Sequence, residues 1–555
     1  MSVLVFLLLQ ASAWFAWSVA MHASVPGDNV EQLNWAHAFE FGYFKHPPLA
    51  TWVLYPLQQA IGAKAWLTVL LGEASVTLAL WITWRVMCRV AARDTAFVAL
   101  AVGACVTYFS SRGHLYNHNT AMLPPLALAL GAAVALLQGA GRRRDWVLLG
   151  LATGAGMMVK YQMALFSAAY VLVLIGYGAV RHPREWRGLA IAVAIALLAL
   201  VPHLVWLVVN DFPPLRYAAG NLGAALGAAS RLAVTASFMV QQLGRAWPAM
   251  CVLGLLAGAN ALARRRRPFV AAAAAAAVGG AVARTGPGVA VPPVRGLAWL
   301  CLAPTVLTLA FGLVAGSHLQ NHWGTGLLLS ALPLLAVWLA RHPALVRGEA
   351  GSDAGGNAAA VASRPGLRAR LRRWPVNPAL LPAVVFVQAA VALTQLLPPT
   401  GSSSGVANDY TAYPAAALGR EALDTWRRRN PVGEPALIVA PGFEGGLASL
   451  AFAVPPPVLA DAEPPHAPWI PRALADACGA LLVEPVTPDG RGSLPPLPWG
   501  MGERIVLRRD VALQRRWRAG AAPIRVSIGV IAPLGAGRAS ECRGYTTTDR
   551  SRSPG

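Results

Sequence analysis

Charge is scarce in this 555-residue chain: Asp, Glu, Lys and Arg together make up 13% of it, against about 25% in an average soluble domain. That scarcity excludes an ordinary water-soluble enzyme, a disordered chain and a coiled coil. Acidic residues are the rarer sign, with Asp+Glu 24 against Lys+Arg 46 and a formal net charge of +22. Lysine is nearly absent, present only as Lys45, Lys64 and Lys160. In a soluble protein such a basic excess suggests nucleic acid. Here the arginines fall in short clusters between apolar runs, where membrane proteins carry them in cytoplasmic loops, so nucleic acid is not a partner. The six cysteines make no framework, with no CxxC pair and no zinc-ligand spacing. Cys88, Cys105, Cys251 and Cys301 lie in or beside apolar runs and behave there as small hydrophobes. Cys478 and Cys542 lie in the polar C-terminal part and can pair if it faces an oxidising compartment.

What the chain has in abundance is apolar sequence, 56% of all residues. A membrane-spanning helix needs about 20 mostly apolar residues. Residues 1–27 hold no Asp, Glu, Lys or Arg; a signal peptide would carry a basic n-region, so this stretch reads as an uncleaved first span. Further spans are expected near 65–84, 95–112, 119–138, 146–159, 163–180, 188–209, 246–263, 296–316, 323–340 and 376–397, eleven in all. Arginines follow each even-numbered span from the second to the tenth, as at Arg85, Arg142, Arg181, Arg264 and Arg341. The positive-inside rule then puts the N-terminus in the cytoplasm and the C-terminal part outside. Two readings are forced by this alternation. Residues 146–180 must hold two short helices turning at Lys160, and the alanine-rich stretch 268–283 must not cross.

The chain therefore divides into a transmembrane domain (1–398), an outer α/β domain (399–535) and a flexible tail (536–555). A helix over 415–429 and strands at 436–440, 480–484, 505–507 and 524–528 are expected in the second part. Segment 348–366, rich in Gly and Ala, reads as flexible. Polar chemistry gathers on the outer face. His22, His37, His46, His114, His118, His318 and His322 fall there, with Asp28, Glu31, Glu40 and all three lysines. Lys160 interrupts a long apolar stretch, which is costly unless it pairs or faces a cavity. Glu73 in the second span reads as a neutral, hydrogen-bonded structural residue. His203 and Trp206 read as packing, and Asp211 and Arg216 as a pair of their own. Glu444 and Asp461 have no nucleophile or base beside them in sequence.

Four outer segments carry the strongest signal: Asp28-Asn-Val-Glu31 followed by Gly42-Tyr-Phe-Lys-His-Pro-Pro-Leu49; Arg112-Gly-His-Leu-Tyr-Asn-His-Asn-Thr120; Gly156-Met-Met-Val-Lys-Tyr161; and Pro202-His-Leu-Val-Trp206 with Asn210-Asp-Phe-Pro-Pro-Leu-Arg-Tyr217. Gly316-Ser-His-Leu-Gln-Asn-His-Trp-Gly324 adds a fifth. In order and membrane side these resemble the bacterial polyprenyl-phosphate-sugar-dependent glycosyltransferases of the GT-C superfamily, which includes protein O-mannosyltransferases and the lipid A aminoarabinose transferase. The resemblance covers about residues 1–340.

It implies a polytopic α-helical GT-C fold of about eleven transmembrane helices in the bacterial inner membrane, with a small periplasmic α/β domain. It also implies inverting transfer of a sugar from an undecaprenyl-phosphate carrier to a periplasmic lipid, glycan or protein acceptor. Asp28 takes the position of the catalytic acid. Lys160, with Lys45 and His46, is placed to hold the donor phosphate. Glu31, Tyr43, Asn117, His118, Asn119, His322 and Trp323 are the expected substrate-binding residues. The sequence departs from the family where Asn29 replaces the usual second acid of the first loop and Asn119 one in the second loop. A divalent cation held by paired acids is thereby disfavoured, the metal requirement stays open, and no other cofactor is implied. Two other classes share part of this pattern. A secondary transporter should carry internal repeats with broken helices, and none is evident. A carrier-binding or flipping protein would keep Lys160 and the histidines without needing Asp28.

Overall fold

The computed structural model describes residues 2–139, 142–222, 227–266, 294–316, 319–348, 376–396, 409–431, 433–487, 490–516, 521–535 and 542. In hydrocarbon a lone segment satisfies its backbone polar groups only as a helix, and each of the eleven apolar stretches falls on one. Seven described helices are long and apolar enough to cross a membrane: Val3–Met21, Ala65–Met87, His118–Leu137, Pro183–Val209, Ala229–Arg265, Val294–Val314 and Asn321–Ala340. The remaining stretches hold the shorter helices Arg93–Gly103, Arg143–Val159, Met163–Gly176 and Leu380–Thr394. At 1.5 Å per residue, the first of these reaches about 16 Å, half the hydrocarbon thickness. Length and composition thus carry seven of the eleven expected crossings. Leu197, Leu198, Val205, Val208 and Val209 stay exposed on the helix Pro183–Val209. Such faces suit lipid rather than water, and the chain is a multi-pass membrane protein.

Small residues set how closely these helices pack, as membrane interfaces require. A Cβ at Gly150 would lie 2.5 Å from the Ala192 carbonyl oxygen, and one at Gly154 would lie 2.8 Å from the Ala199 Cβ. Helix Arg143–Val159 therefore lies directly against Pro183–Val209. The same device seats the second outer loop: a Cβ at Gly72 would come within 2.5 Å of the Gly113 carbonyl oxygen. Glu73 is buried beside it, its Oε1 finding no hydrogen-bond partner among the described residues. The hydrogen bond expected of Glu73 is not made by that oxygen.

The expected two-helix turn at Lys160 is present. Helix Arg143–Val159 ends on Lys160 in an extended conformation, and the chain resumes helix at Met163. The stretch 268–283, the 398/399 boundary, His318 and most of 348–366 and 536–555 lie outside the described residues.

The C-terminal part holds helix Ala415–Arg429 and a five-stranded sheet. Its strands are β1 (Ile438–Ala440), β2 (Val458–Ala460), β3 (Ala480–Pro485), β4 (Ile505–Leu513) and β5 (Ile524–Ile531), ordered β2-β1-β3-β5-β4. β1 runs parallel to β2 and β3, while β5 pairs antiparallel with β3 and β4. β2 has no counterpart in the sequence reading, because three residues show no alternation. Cys478 and Cys542 are joined by a disulfide.

This unit rests on the first outer loop. Val25, Val30 and Val69 share one apolar cluster with Leu418, Trp426, Ile438 and Val483. Ala23 N donates to the Thr411 carbonyl at 3.0 Å, and Asn34 Nδ2 to the Gly442 carbonyl at 2.8 Å.

Candidate active site

The site begins on a nine-residue helix, Gly27–Trp35, whose first turn carries Asp28. A carboxylate there is favoured by the helix dipole. Asp28 is exposed, while Asn29 beside it is buried. Asn29 uses both ends of its amide. Its Nδ2 donates to Thr68 Oγ1 at 3.0 Å and to the His114 carbonyl at 2.9 Å, and its Oδ1 accepts from Tyr116 N at 3.0 Å. The position where the resemblance implies a second acid is thus a structural tie between the first loop, helix Ala65–Met87 and the second loop.

That tie holds the second loop under Asp28. Asn117 Oδ1 caps the helix starting at His118, accepting from Asn119 N at 2.9 Å and Thr120 N at 3.0 Å. Its Nδ2 donates to Asp28 Oδ2 at 2.8 Å. Two residues on, Asn119 Oδ1 accepts from Lys160 Nζ at 2.5 Å. Asp28, Asn117, Asn119 and Lys160 therefore form one connected polar line, although they come from three segments.

Lys160 is 7% exposed, and its ammonium lies 5.3 Å from the centre of the Trp323 ring. Burial pulls its pKa down to about 7, with the nearby Asp28 charge opposing. His322 belongs to the same neighbourhood and feels Lys160, Asp28 and Arg112. The short turn Asn321–Trp323 that carries it is anchored by Tyr108 OH, which donates to the Asn321 carbonyl.

Lys45 is placed differently from Lys160. Its Nζ forms an ion pair with Glu31 Oε1 at 2.7 Å. Burial pushes the Glu31 carboxyl up, against the pull of Lys45. Burial would lower Lys45, but Glu31 overrides it and the net shift is upward. The charge of Lys45 is largely taken by Glu31 and is only partly available to a phosphate. His46 is held well below its ordinary pKa by burial, then by His118, Lys160 and Lys45, so it enters the site as a neutral ring. Of the three residues expected at the donor phosphate, Lys45 is ion-paired and His46 is neutral, while Lys160 bonds only the Asn119 amide oxygen among the described residues. Tyr43 is fully buried, stacked on Trp35 at 5.1 Å, and its OH donates to the Ala38 carbonyl at 2.8 Å. It braces the loop.

The sequence reading gave no site role to five residues that the structure brings here. Arg112 acts electrostatically on His322, and Arg245 lies 5.7 Å from the centre of the Tyr108 ring, while Gln242 Oε1 lies 3.2 Å from the Tyr108 hydroxyl oxygen. From the C-terminal unit, Asp461 Oδ2 lies 3.0 Å from His466 Nδ1. The His466 ring centre is 3.7 Å from that of Phe44. The His466 hydrogen bond holds Asp461 below its usual range, with burial opposing. Asp461 and Ala462 both have positive φ, 58° and 56°, a conformation L-residues keep only when their surroundings fix it. Arg112 lies in the second-loop motif and Asp461 bonds a residue five positions on, whereas Arg245, Gln242 and His466 meet Tyr108 and Phe44 from 134 or more positions away.

Two other expectations, for His203 and for the Asp211–Arg216 pair, match the geometry. His203 bonds Tyr161 OH at 2.6 Å and the Phe41 carbonyl at 2.7 Å, a packing role. Arg216 pairs with Asp211 at 2.9 Å. Among the described residues no group of three or more His, Cys, Asp or Glu is arranged to hold a metal ion.

Residues 45–206 match the family model of dolichyl-phosphate-mannose-protein mannosyltransferases. Over 210 residues, 36% of this chain, the sequence is 28% identical to the lipopolysaccharide core galacturonosyltransferase RgtA of Rhizobium johnstonii. Over 206 residues it is 27% identical to RgtB of the same organism. These alignments span 41% and 40% of the length of those two proteins. The fold is similar to that of ArnT from Cupriavidus metallidurans bound to undecaprenyl phosphate, with a TM-score of 0.56 at 15% identity, covering 96% of this chain and 98% of that one. The apo form of that protein gives 0.54 at 16% identity, with the same coverage. The resemblance read from the outer loops is borne out in the family match and in the fold.

Proposed function

We propose that this chain is a glycosyltransferase of the bacterial inner membrane, N-terminus inside and C-terminal unit in the periplasm. It moves a sugar from an undecaprenyl-phosphate carrier to a periplasmic lipid, glycan or protein acceptor, with inversion. The observation that carries this reading is the line Asp28–Asn117–Asn119–Lys160, which sets one carboxylate and one buried ammonium in the same site. The similarity of residues 45–206 to prenyl-phosphate-sugar transferases, and of the fold to a protein bound to undecaprenyl phosphate, supports it.

Each residue has a chemical task. The bond between the sugar C1 and the phosphate oxygen breaks, and its electron pair stays on the phosphate. Lys160 stabilises that charge in a buried setting, where such an interaction counts for more than in water. The acceptor oxygen bonds to C1 from the opposite face, which inverts the configuration. Its proton passes to Asp28, whose Oδ2 is fixed by Asn117 and whose Oδ1 is left to accept. Lys45, shared with Glu31, and the neutral His46 line the site beside this centre. His322 and Trp323 flank Lys160, with the indole against the ammonium. The prenyl chain remains in apolar surroundings and supplies much of the binding energy.

The test is transfer of label from an undecaprenyl-phosphate-sugar pool in membranes holding wild type, Asp28→Asn or Lys160→Ala. Label leaving the carrier in wild type and staying on it in both variants is the expected result. Equal loss of label from the carrier in Asp28→Asn would remove Asp28 from the reaction.

A further inference from the structure

His118 holds an atom that the proposed chemistry does not use. The residue is 3% exposed, and its Nε2 is buried with no hydrogen-bond partner among the described residues. The Pro47 carbonyl acts on the ring as an acceptor, favouring an N–H on the nitrogen it meets, and that nitrogen is not the partnerless Nε2. A carbonyl oxygen only accepts, so Nδ1 carries the proton and Nε2 presents a lone pair. Two ammoniums, Lys45 and Lys160, act on this ring. A third positive charge between them is costly, so the neutral ring is the form the site holds. The His46 ring packs at 3.9 Å and Trp35 at 5.7 Å, which fixes the plane of the imidazole. A buried acceptor left without a donor is destabilising, and a native structure retains one where a water, an ion or a ligand completes it or where it has a catalytic role; at the polar site described above we take the ligand.

The chemistry of the missing partner follows. A phosphodiester or carboxylate oxygen offers only lone pairs and cannot satisfy Nε2. A hydroxyl can. Resting on the reading of the site as one for a phosphate-linked sugar, we propose that His118 Nε2 accepts a hydrogen bond from a ring hydroxyl of the donor sugar, making His118 a specificity-determining residue. Lys160 holds the phosphate shared by every prenyl-phosphate carrier, and His118 separates the sugar-loaded carrier from the bare one. A site that pairs a hydroxyl in this way discriminates strongly against ligands lacking it.

The experiment measures binding of three probes to the full-length chain in lipid nanodiscs. The probes are undecaprenyl phosphate and its galacturonosyl and aminoarabinosyl derivatives. The proteins are wild type, His118→Leu, His118→Gln and Lys160→Ala, each checked for an unchanged unfolding temperature. Wild type should bind at least one sugar-bearing probe about tenfold more tightly than undecaprenyl phosphate. His118→Leu should lose that preference while binding the bare carrier as wild type does. His118→Gln, whose side-chain carbonyl restores an acceptor, should regain part of it. Lys160→Ala should lose all three probes.

Weaker binding of bare undecaprenyl phosphate by His118→Leu would make the residue a phosphate ligand and overturn the proposal. An undiminished preference in His118→Leu, or none in wild type, would overturn it as well. If wild type binds none of the probes, the reading of the site itself falls; if wild type binds them and Lys160→Ala does not, that reading stands and the result at His118 is judged alone.

Discussion

Lys160 and Asn29 show how one residue's surroundings decide what it contributes. A lysine in water stays charged to about pH 10, whereas burial brings Lys160 to about 7. Its ammonium form dominates below that value and its neutral form above it. An anionic phosphate binds only the charged form well, so binding should draw a proton onto the lysine as pH rises through 7. The expected outcome is an affinity for undecaprenyl phosphate that is level below pH 7 and falls by up to about tenfold per unit above it. Titrations between pH 6 and 9 would measure this, and a flat profile would contradict it. Asn29 makes the opposite point. Read along the sequence it is a lost acid, but in three dimensions it donates twice and accepts once. Asn29→Asp would remove both donors and aim a carboxylate at the His114 carbonyl. We expect a destabilisation of at least about 2 kcal/mol, seen as a lower unfolding temperature in detergent. An unchanged unfolding temperature would mean that the tie is not formed.

At the scale of elements, the site depends on the second loop lying flat on helix Ala65–Met87. Gly72 makes that possible, since any side chain there meets the Gly113 backbone. Gly72→Ala should cost about 1–3 kcal/mol as the loop shifts to relieve the clash. Transfer should drop further than stability, because Asn117 and Asn119 move with the loop. Comparing the unfolding temperature with the transfer rate checks this, and wild-type rates would contradict it.

The helices were legible in the sequence because an apolar run without charges has few other options, and so was the break at Lys160, a charge no lipid-facing helix carries cheaply. The three-residue β2 was not legible. Nor was the crossing count, since an apolar run does not mark where a helix stops inside it. Asp28, Lys160 and the loop-two asparagines could be found because each sits in a short motif. Arg245 and His466 could not, because they gain meaning only from partners 137 or more positions away in Tyr108 and Phe44, and Asp461 joins them only through His466.

The molecule as a whole joins a helical membrane body to a sheet-containing unit seated on its first loop, and the same loop carries Asp28. Every arginine-rich even exit is expected on the opposite side of the membrane from that unit. In a chain carrying Cys251→Ser to remove the exposed native thiol, Ala453→Cys should react with an impermeant maleimide in intact spheroplasts. Arg184→Cys should react only after lysis. The reverse pattern would invert the orientation and place the site in the cytoplasm.

The central claim is that Asp28 serves the reaction while Lys160 serves the carrier. It is tested most directly by single-turnover transfer with purified protein, donor binding being measured alongside. The account predicts that Asp28→Asn binds the donor within about twofold of wild type yet transfers its sugar roughly 10²–10⁴-fold more slowly, whereas Lys160→Ala loses donor binding first. Transfer by Asp28→Asn at the wild-type rate would contradict it.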